Sequence, residues 1–270
     1  MYRIIACDMD ETLLGKDKKV SQRNREAIAA AREAGVKFVP NTGRGFASIQ
    51  GTLEELGLRN KANEYVISFN GGAITENAGN RLIHAIALPF AKAEELYRRG
   101  IDYDVCIHVY TIDRVYAYGL NTGERDFLRG RMAVEETSEK NLDFLKGQDI
   151  MKILYENTDD SYLRKIEAET ADIADDTDVS FSSNRYIEFN KKGVTKGVGL
   201  MKLADILGVK PEETIAIGDN FNDLSMLQAA GLGVGVANAV EGIRKDCDYI
   251  TEAAYDQDAV AEVIEQFILK

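Results

Sequence analysis

Across 270 residues, 33 Lys and Arg stand against 45 Asp and Glu, a formal net charge of −12 that argues against nucleic acid or an anionic membrane as the main partner. The hydrophobic content of 45% suits a globular chain of one or two domains, and neither an amino-terminal secretory pattern nor an apolar run of about 18 residues is found. Three cysteines, Cys7, Cys106 and Cys247, are odd in number and lack CxxC spacing, so neither a disulfide framework nor a zinc site is expected, and the expected setting is cytoplasmic.

The first element is a buried strand, the apolar run Ile4-Ile5-Ala6-Cys7, which ends in two carboxylates, Asp8 and Asp10. Ser21 can cap a helix with Ala27, Ile28, Ala31 and Ala34 at i+3 and i+4 spacing, stopped by Gly35. A second strand over 36–40 ends in Asn41-Thr42-Gly43-Arg44. A helix carrying Ile49, Leu53 and Leu56 follows, then a third strand over 65–69 closed by Asn70-Gly71-Gly72. Alternating β and α segments of this kind predict right-handed crossovers and a parallel sheet.

From residue 74 the rhythm changes. Strands over 81–88, 105–110, 114–118, 150–156 and 186–189 mix with helices over 91–99 and 160–171 and a further stretch at 141–146, and the acidic stretch 172–178 reads as a solvated loop. The α/β rhythm then resumes. Thr195 caps a helix running to Leu207 before Gly208, and a buried strand over 214–217 ends in Gly218-Asp219-Asn220-Phe221-Asn222-Asp223. A helix over 223–230, strands over 232–236 and 249–251 and a final helix over 258–268 complete the chain. The expected organisation is a core of residues 1–81 and 186–270, with residues 82–185 inserted as an α+β domain.

Parallel strands bring their carboxyl ends to one edge of a sheet, so Asp8, Asp10, Thr42, Asp219 and Asp223 are expected to converge. Carboxylates gathered there repel one another unless a hard cation sits among them, and oxygen-only ligands suit Mg2+. Lys196, at a predicted helix amino terminus, adds a second positive charge. A metal, a lysine, the Thr42 hydroxyl and the backbone amides after Gly43 together make a phosphate site. In that setting Asp8 can attack phosphorus in line, and Asp10 can protonate the leaving oxygen and later deprotonate water.

At these residues the chain resembles the haloacid dehalogenase superfamily of phosphatases, more closely its Cof-like members with a large α/β cap of type IIB. The resemblance is carried by Asp8-Met9-Asp10-Glu11-Thr12-Leu13-Leu14, Thr42-Gly43-Arg44, Gly193-Val194-Thr195-Lys196-Gly197 and Gly218-Asp219-Asn220-Phe221-Asn222-Asp223, in that order. It extends to Asn70-Gly71-Gly72 and Ala237-Asn238-Ala239. It implies a doubly wound, Rossmann-like α/β core with an inserted α+β cap that closes over the site. It also implies that Asp8 is nucleophile and metal ligand, that Asp10 is acid/base and lends a backbone carbonyl to the metal, and that Asp219 completes the metal site. Met9 (through its amide), Thr42, Gly43, Lys196 and Asn222 would hold phosphate, and Asp223 would orient Lys196 or support the metal. Arg44 remains either a substrate contact or a surface salt bridge.

Two positions depart from the family pattern: Glu11 stands where Gly is usual, and Asp258-Ala259-Val260-Ala261 replaces a late Asp-Gly-Val-Ala signature. His84 and His108 are expected to be structural or surface residues of the cap, and Cys7 a small apolar neighbour of the nucleophile. The expected activity is Mg2+-dependent hydrolysis of small phosphate esters, sugar phosphates foremost, by a monomer or small homo-oligomer. The alternatives are a phosphomutase or phosphotransferase on the same scaffold, or a non-catalytic regulator switched by phosphorylation of an Asp.

Overall fold

A computed structural model describes residues 1–270, which divide into two compact units, Met1–Ala85 with Thr195–Lys270, and Ile86–Val194. The first unit begins with β1 (Ile4–Cys7), α1 (Gln22–Glu33), β2 (Lys37–Pro40), α2 (Gln50–Glu55), β3 (Tyr65–Ser68), β4 (Ala73–Glu76) and β5 (Arg81–Ala85). The second holds α3 (Phe90–Ile101), β6 (Cys106–Thr111), β7 (Val115–Tyr118), α4 (Thr122–Leu128), β8 (Glu135–Thr137), β9 (Ile150–Glu156), α5 (Asp160–Glu169), β10 (Thr177–Ser182) and β11 (Tyr186–Lys191). The chain then returns to the first unit through α6 (Lys196–Leu207), β12 (Thr214–Gly218), α7 (Leu224–Ala229), β13 (Leu232–Gly235), α8 (Glu241–Arg244), β14 (Tyr249–Ile250) and α9 (Ala259–Phe267).

In the first unit five parallel strands lie in the order β14-β13-β12-β1-β2, with Cys7 paired to Ile217 on one side and Pro40 on the other. The strands are apolar throughout because both faces are covered. Ile4, Ala6, Val39 and Ala216 pack with Leu200 and Leu203 of α6 and Met226 and Leu227 of α7. The alternate residues Ile5, Cys7, Phe38 and Ile215 point the other way and are equally buried, in a unit where α1 and α9 pack against each other. Asn24 of α1 is buried there, and its Oδ1 accepts from the Ala261 amide at 2.8 Å. Helices on both faces make this a doubly wound α/β core.

The expected caps are present: the Ser21 side chain accepts from the Asn24 amide and Thr195 from the Val198 amide. The third strand differs from its expected place. Its only ladder is antiparallel to β4, and it meets β2 through a single parallel bridge between Asn41 and Ile67. Strand over 81–88 is limited to Arg81–Ala85, which stays paired with β4.

The second unit is an α+β sandwich whose sheet runs β10-β11-β9-β6-β7-β8. Ile107, Val109, Ile153, Tyr155, Ile187 and Phe189 project from one face into a core with Ala93, Leu96 and Tyr97 of α3 and Leu163 and Ile166 of α5. The junctions fall at 85/86 and 194/195, instead of 81/82 and 185/186, because β5 belongs to the first unit's ladder and β11 lies between β10 and β9. The acidic stretch 172–178 is not loop to its end, since Thr177 and Asp178 open β10 opposite Lys191 and Asn190. The stretch 141–146 contains only a short turn of 3-10 helix, Asp143–Leu145. No helix is long and apolar enough to cross a membrane.

Candidate active site

Asp8 follows β1 directly and Asp219 follows β12, the neighbouring strand, so parallel pairing delivers both carboxylates to one sheet edge. The Asp8 amide donates to the Ile217 carbonyl at 2.9 Å, which continues the ladder one residue past the strand and fixes where the side chain emerges. Asp223 lies at the start of α7, and its Oδ2 accepts from the Asp219 and Asn220 amides at 2.9 and 3.0 Å. This fold-back needs Gly218, because a Cβ there would sit 2.5 Å from the Asp223 Cβ. Ligand oxygens of Asp8, Asp219 and Asp223 lie within 4.8 Å of one another.

Lys196, the first residue of α6, is fully buried, and its Nζ donates to Asp8 Oδ1 and, at 2.6 Å, to Asp223 Oδ1. Two contacts set its position. The Asn41 side chain donates to the Lys196 carbonyl at 3.0 Å, and Gly197 lets α6 approach α7 so closely that a Cβ would lie 2.3 Å from the Ser225 carbonyl oxygen.

Three carboxylates face one ammonium here, which leaves two negative charges uncompensated. The titration directions follow. Burial, opposed by Lys196 and then reinforced by Asp223, pushes the Asp8 carboxyl up to about 7. Burial and then the charges of Asp8 and Asp223 push Asp219 up to about 8, although the Thr12 hydroxyl donates to it at 2.8 Å. Burial works against the Lys196 ammonium, but Asp223 and then Asp8 more than reverse this and hold it above its ordinary value. One divalent cation would supply the charge that is lacking, and an all-oxygen donor set fits Mg2+.

Asp10 occupies a different setting. Its side chain is 40% exposed, and both cations near it take the same oxygen: Arg44 Nη2 lies 2.5 Å and Lys18 Nζ 3.4 Å from Oδ1. Arg44 is therefore an ion-pair partner of Asp10. Met9 is buried between the two acids, and its carbonyl accepts from Leu13 and Leu14, closing the turn that carries Asp10.

Thr42 is nearly fully buried at the end of β2; its amide donates to the Ile67 carbonyl at 3.0 Å, and its hydroxyl oxygen accepts from the Arg44 amide at 3.1 Å. Gly43 lies against Asn70, and the exposed Asn222 reaches the Asn70 Oδ1 at 3.5 Å. Thr12, Asn41 and Asn70 carry no assigned role in the sequence reading, although Thr12 and Asn70 lie within its motifs. Their partners are 207, 155 and 152 residues away, beyond the reach of local patterning.

The haloacid dehalogenase-like hydrolase family model matches residues 5–264. The putative phosphatase YxeH of Bacillus subtilis is 29% identical over 275 residues, covering 100% of this chain and 99% of that protein. The 5-amino-6-(5-phospho-D-ribitylamino)uracil phosphatase YcsE of the same organism is 29% identical over 269 residues, covering 99% and 96%. A crystal structure of a haloacid dehalogenase-like hydrolase from Bacteroides thetaiotaomicron superposes with a TM-score of 0.88 at 31% identity, covering 98% of this chain and 99% of that one. With the family match running almost end to end, the chain belongs to the haloacid dehalogenase-like hydrolases, among their phosphatases.

Proposed function

We propose that this enzyme hydrolyses small phosphate esters, sugar phosphates foremost, with Mg2+ and through an aspartyl phosphate on Asp8. The observation that carries the reading is the excess of two negative charges at Asp8, Asp219, Asp223 and Lys196, at the carboxyl ends of two adjacent parallel strands. Asp8, Asp219 and the Asp10 carbonyl would hold the metal, which when bound offsets the charge of the phosphate and keeps the nucleophile ionised.

In the first step an Asp8 carboxylate oxygen forms a bond to phosphorus as the bond from phosphorus to the ester oxygen breaks. Asp10 gives its proton to that oxygen. In the second step Asp10 takes a proton from water as the water oxygen bonds to phosphorus, and the Asp8 carboxylate leaves with its electron pair. Lys196, Thr42 and the amides of Met9 and Gly43 hold the phosphoryl oxygens, and Asn222 reaches them from the α7 side. Asp223 keeps the Lys196 ammonium charged and aimed at Asp8. The substrate class is supported by the relative YcsE, whose name places its phosphate on a ribityl chain.

Asp8→Asn tests the reading, with phosphate release expected to fall by about 10³-fold or more while the fold is retained. Borohydride quenching during turnover should convert residue 8 to homoserine, detected by mass spectrometry. Undiminished phosphate release by Asp8→Asn would overturn the proposed nucleophile.

A further inference from the structure

Glu11 follows the proposed acid/base directly, and its φ is 61°, in the left-handed region that a side chain with a Cβ rarely adopts. Something must hold it there. The Glu11 carbonyl accepts a hydrogen bond from Asn238 Nδ2 at 2.9 Å, while Asn238 Oδ1 accepts from the Tyr255 amide at 2.9 Å. Both ends of the carboxamide are thus used, which fixes its orientation.

The segment bearing Asn238 is itself anchored. The Ala237 amide donates to Thr251 Oγ1 at 3.0 Å, Arg244 donates to the Ala237 carbonyl at 3.0 Å, and the Val240 amide donates to the Asp219 carbonyl at 2.9 Å. A rigid platform continuous with Asp219 therefore grips the peptide next to Asp10.

We propose that Asn238 is a positioning residue: by holding the Glu11 carbonyl it keeps the turn left-handed and so sets where the Asp10 carboxyl stands. This rests on the role of Asp10 in the reading above. Without the amide donor, Glu11 relaxes toward negative φ and carries Asp10 away from the leaving oxygen. A displacement on the order of 1 Å can cost about 10²-fold in rate. Glycine at position 11 accepts positive φ about as readily as negative, so it reduces the dependence on Asn238.

The test compares an alkyl phosphate, whose leaving oxygen needs a proton, with p-nitrophenyl phosphate, whose leaving group departs as an anion. Asn238→Asp keeps an acceptor for Tyr255 and removes the donor to Glu11; Asn238→Ala serves if the first does not fold. The alkyl-to-aryl ratio of kcat/KM should fall by about tenfold in the single variant. In the Glu11→Gly background the same substitution should lower the ratio by no more than about threefold, because glycine removes the backbone penalty. An unchanged ratio overturns the inference, whatever happens to absolute rates or thermal stability. So does a ratio that falls equally in both backgrounds. Asp10→Asn run alongside separates the two levels: an alkyl-to-aryl ratio that does not fall in that variant refutes the parent reading of Asp10, whereas a ratio that falls there and stays unchanged at Asn238 refutes only the positioning role.

Discussion

Each unit buries charge, and the two do it differently. In the second unit Lys152 meets Glu188 at 2.6 Å across adjacent strands, and Arg185 reaches Glu124 at 3.0 Å and Glu156 at 2.9 Å. Tyr186 donates to Glu124 and Asn121 to Glu156, so the carboxylates have donors of their own, from within one sheet and α4. His108 lies 3.4 Å from Glu124, but burial, then Lys152 and Arg185, lower its pKa to about 3 and keep it neutral. In the first unit three carboxylates share one ammonium at the ends of parallel strands. Buried ions alone thus do not mark a site. The second unit's cluster exceeds its cations by one charge, three carboxylates against Lys152 and Arg185, and meets it with neutral donors of its own. The first unit's cluster exceeds its cation by two at the ends of parallel strands, where a cation from outside would complete it.

The comparison breaks most visibly at the cations. Lys196→Met should lower phosphate release by about 10²–10³-fold through loss of charge at the phosphate. Arg185→Met should act on stability instead, leaving Glu124 and Glu156 buried without their cation at a cost of about 3–5 kcal/mol. Denaturant midpoints and steady-state rates for both variants decide the matter. An Arg185→Met protein that keeps its midpoint would remove the scaffolding role from that cluster.

These differences also explain what the sequence allowed to be read. The ends of β1, β2 and β12 are legible because an apolar run turns abruptly into acids, amides or Thr-Gly, and parallel pairing then makes convergence follow. The strand β10 is hard to read in spite of its alternation, because Val179 and Phe181 are its only apolar residues and it begins inside an acidic stretch. Its pairing with β11 and the packing of Val179 and Phe181 on the core decide it. The helix α4 and the strands β4 and β8 are also illegible in the sequence, because each holds at most two apolar residues and so shows no period. The contacts of Thr12 and Asn41 join residues far apart in the chain, so nothing in their neighbourhood announces them.

A change of pH sharpens the comparison less drastically. Asp8 and Asp219 have folded-state values of about 7 and about 8 against an ordinary 3.8. A carboxyl raised by folding contributes stability that is fully present below its unfolded pKa and is lost as pH rises through the folded value. These carboxyls lose their contribution as pH climbs from about 4 to about 8; the metal-free protein should show that loss most cleanly from about 6.5 to about 8, and added Mg2+ should restore more of it at each step. Apparent Mg2+ affinity should rise by about tenfold per pH unit for each proton displaced, hence by up to about a hundredfold per unit below both folded values. A midpoint that is flat with pH and indifferent to Mg2+ would show that the charge excess is not felt. His108 in the second unit works in the opposite sense: it is neutral when folded but takes a proton below about 6.5 when unfolded, so it adds stability as pH rises to that value.

The smallest effect is expected at Glu11, where the first unit departs from the family pattern. Its φ of 61° costs about 1–2 kcal/mol for a residue with a Cβ, while glycine loses about 0.5–1 kcal/mol more chain entropy on folding. The balance makes Glu11→Gly neutral to stabilising, by up to about 1.5 kcal/mol, measured by denaturant unfolding. Activity should be retained or raised, because the Glu11 carbonyl bonded to Asn238 belongs to the backbone and survives the change. Loss of activity in Glu11→Gly would mean that the carboxylate itself acts in turnover, and the strained turn would then be a consequence of that role.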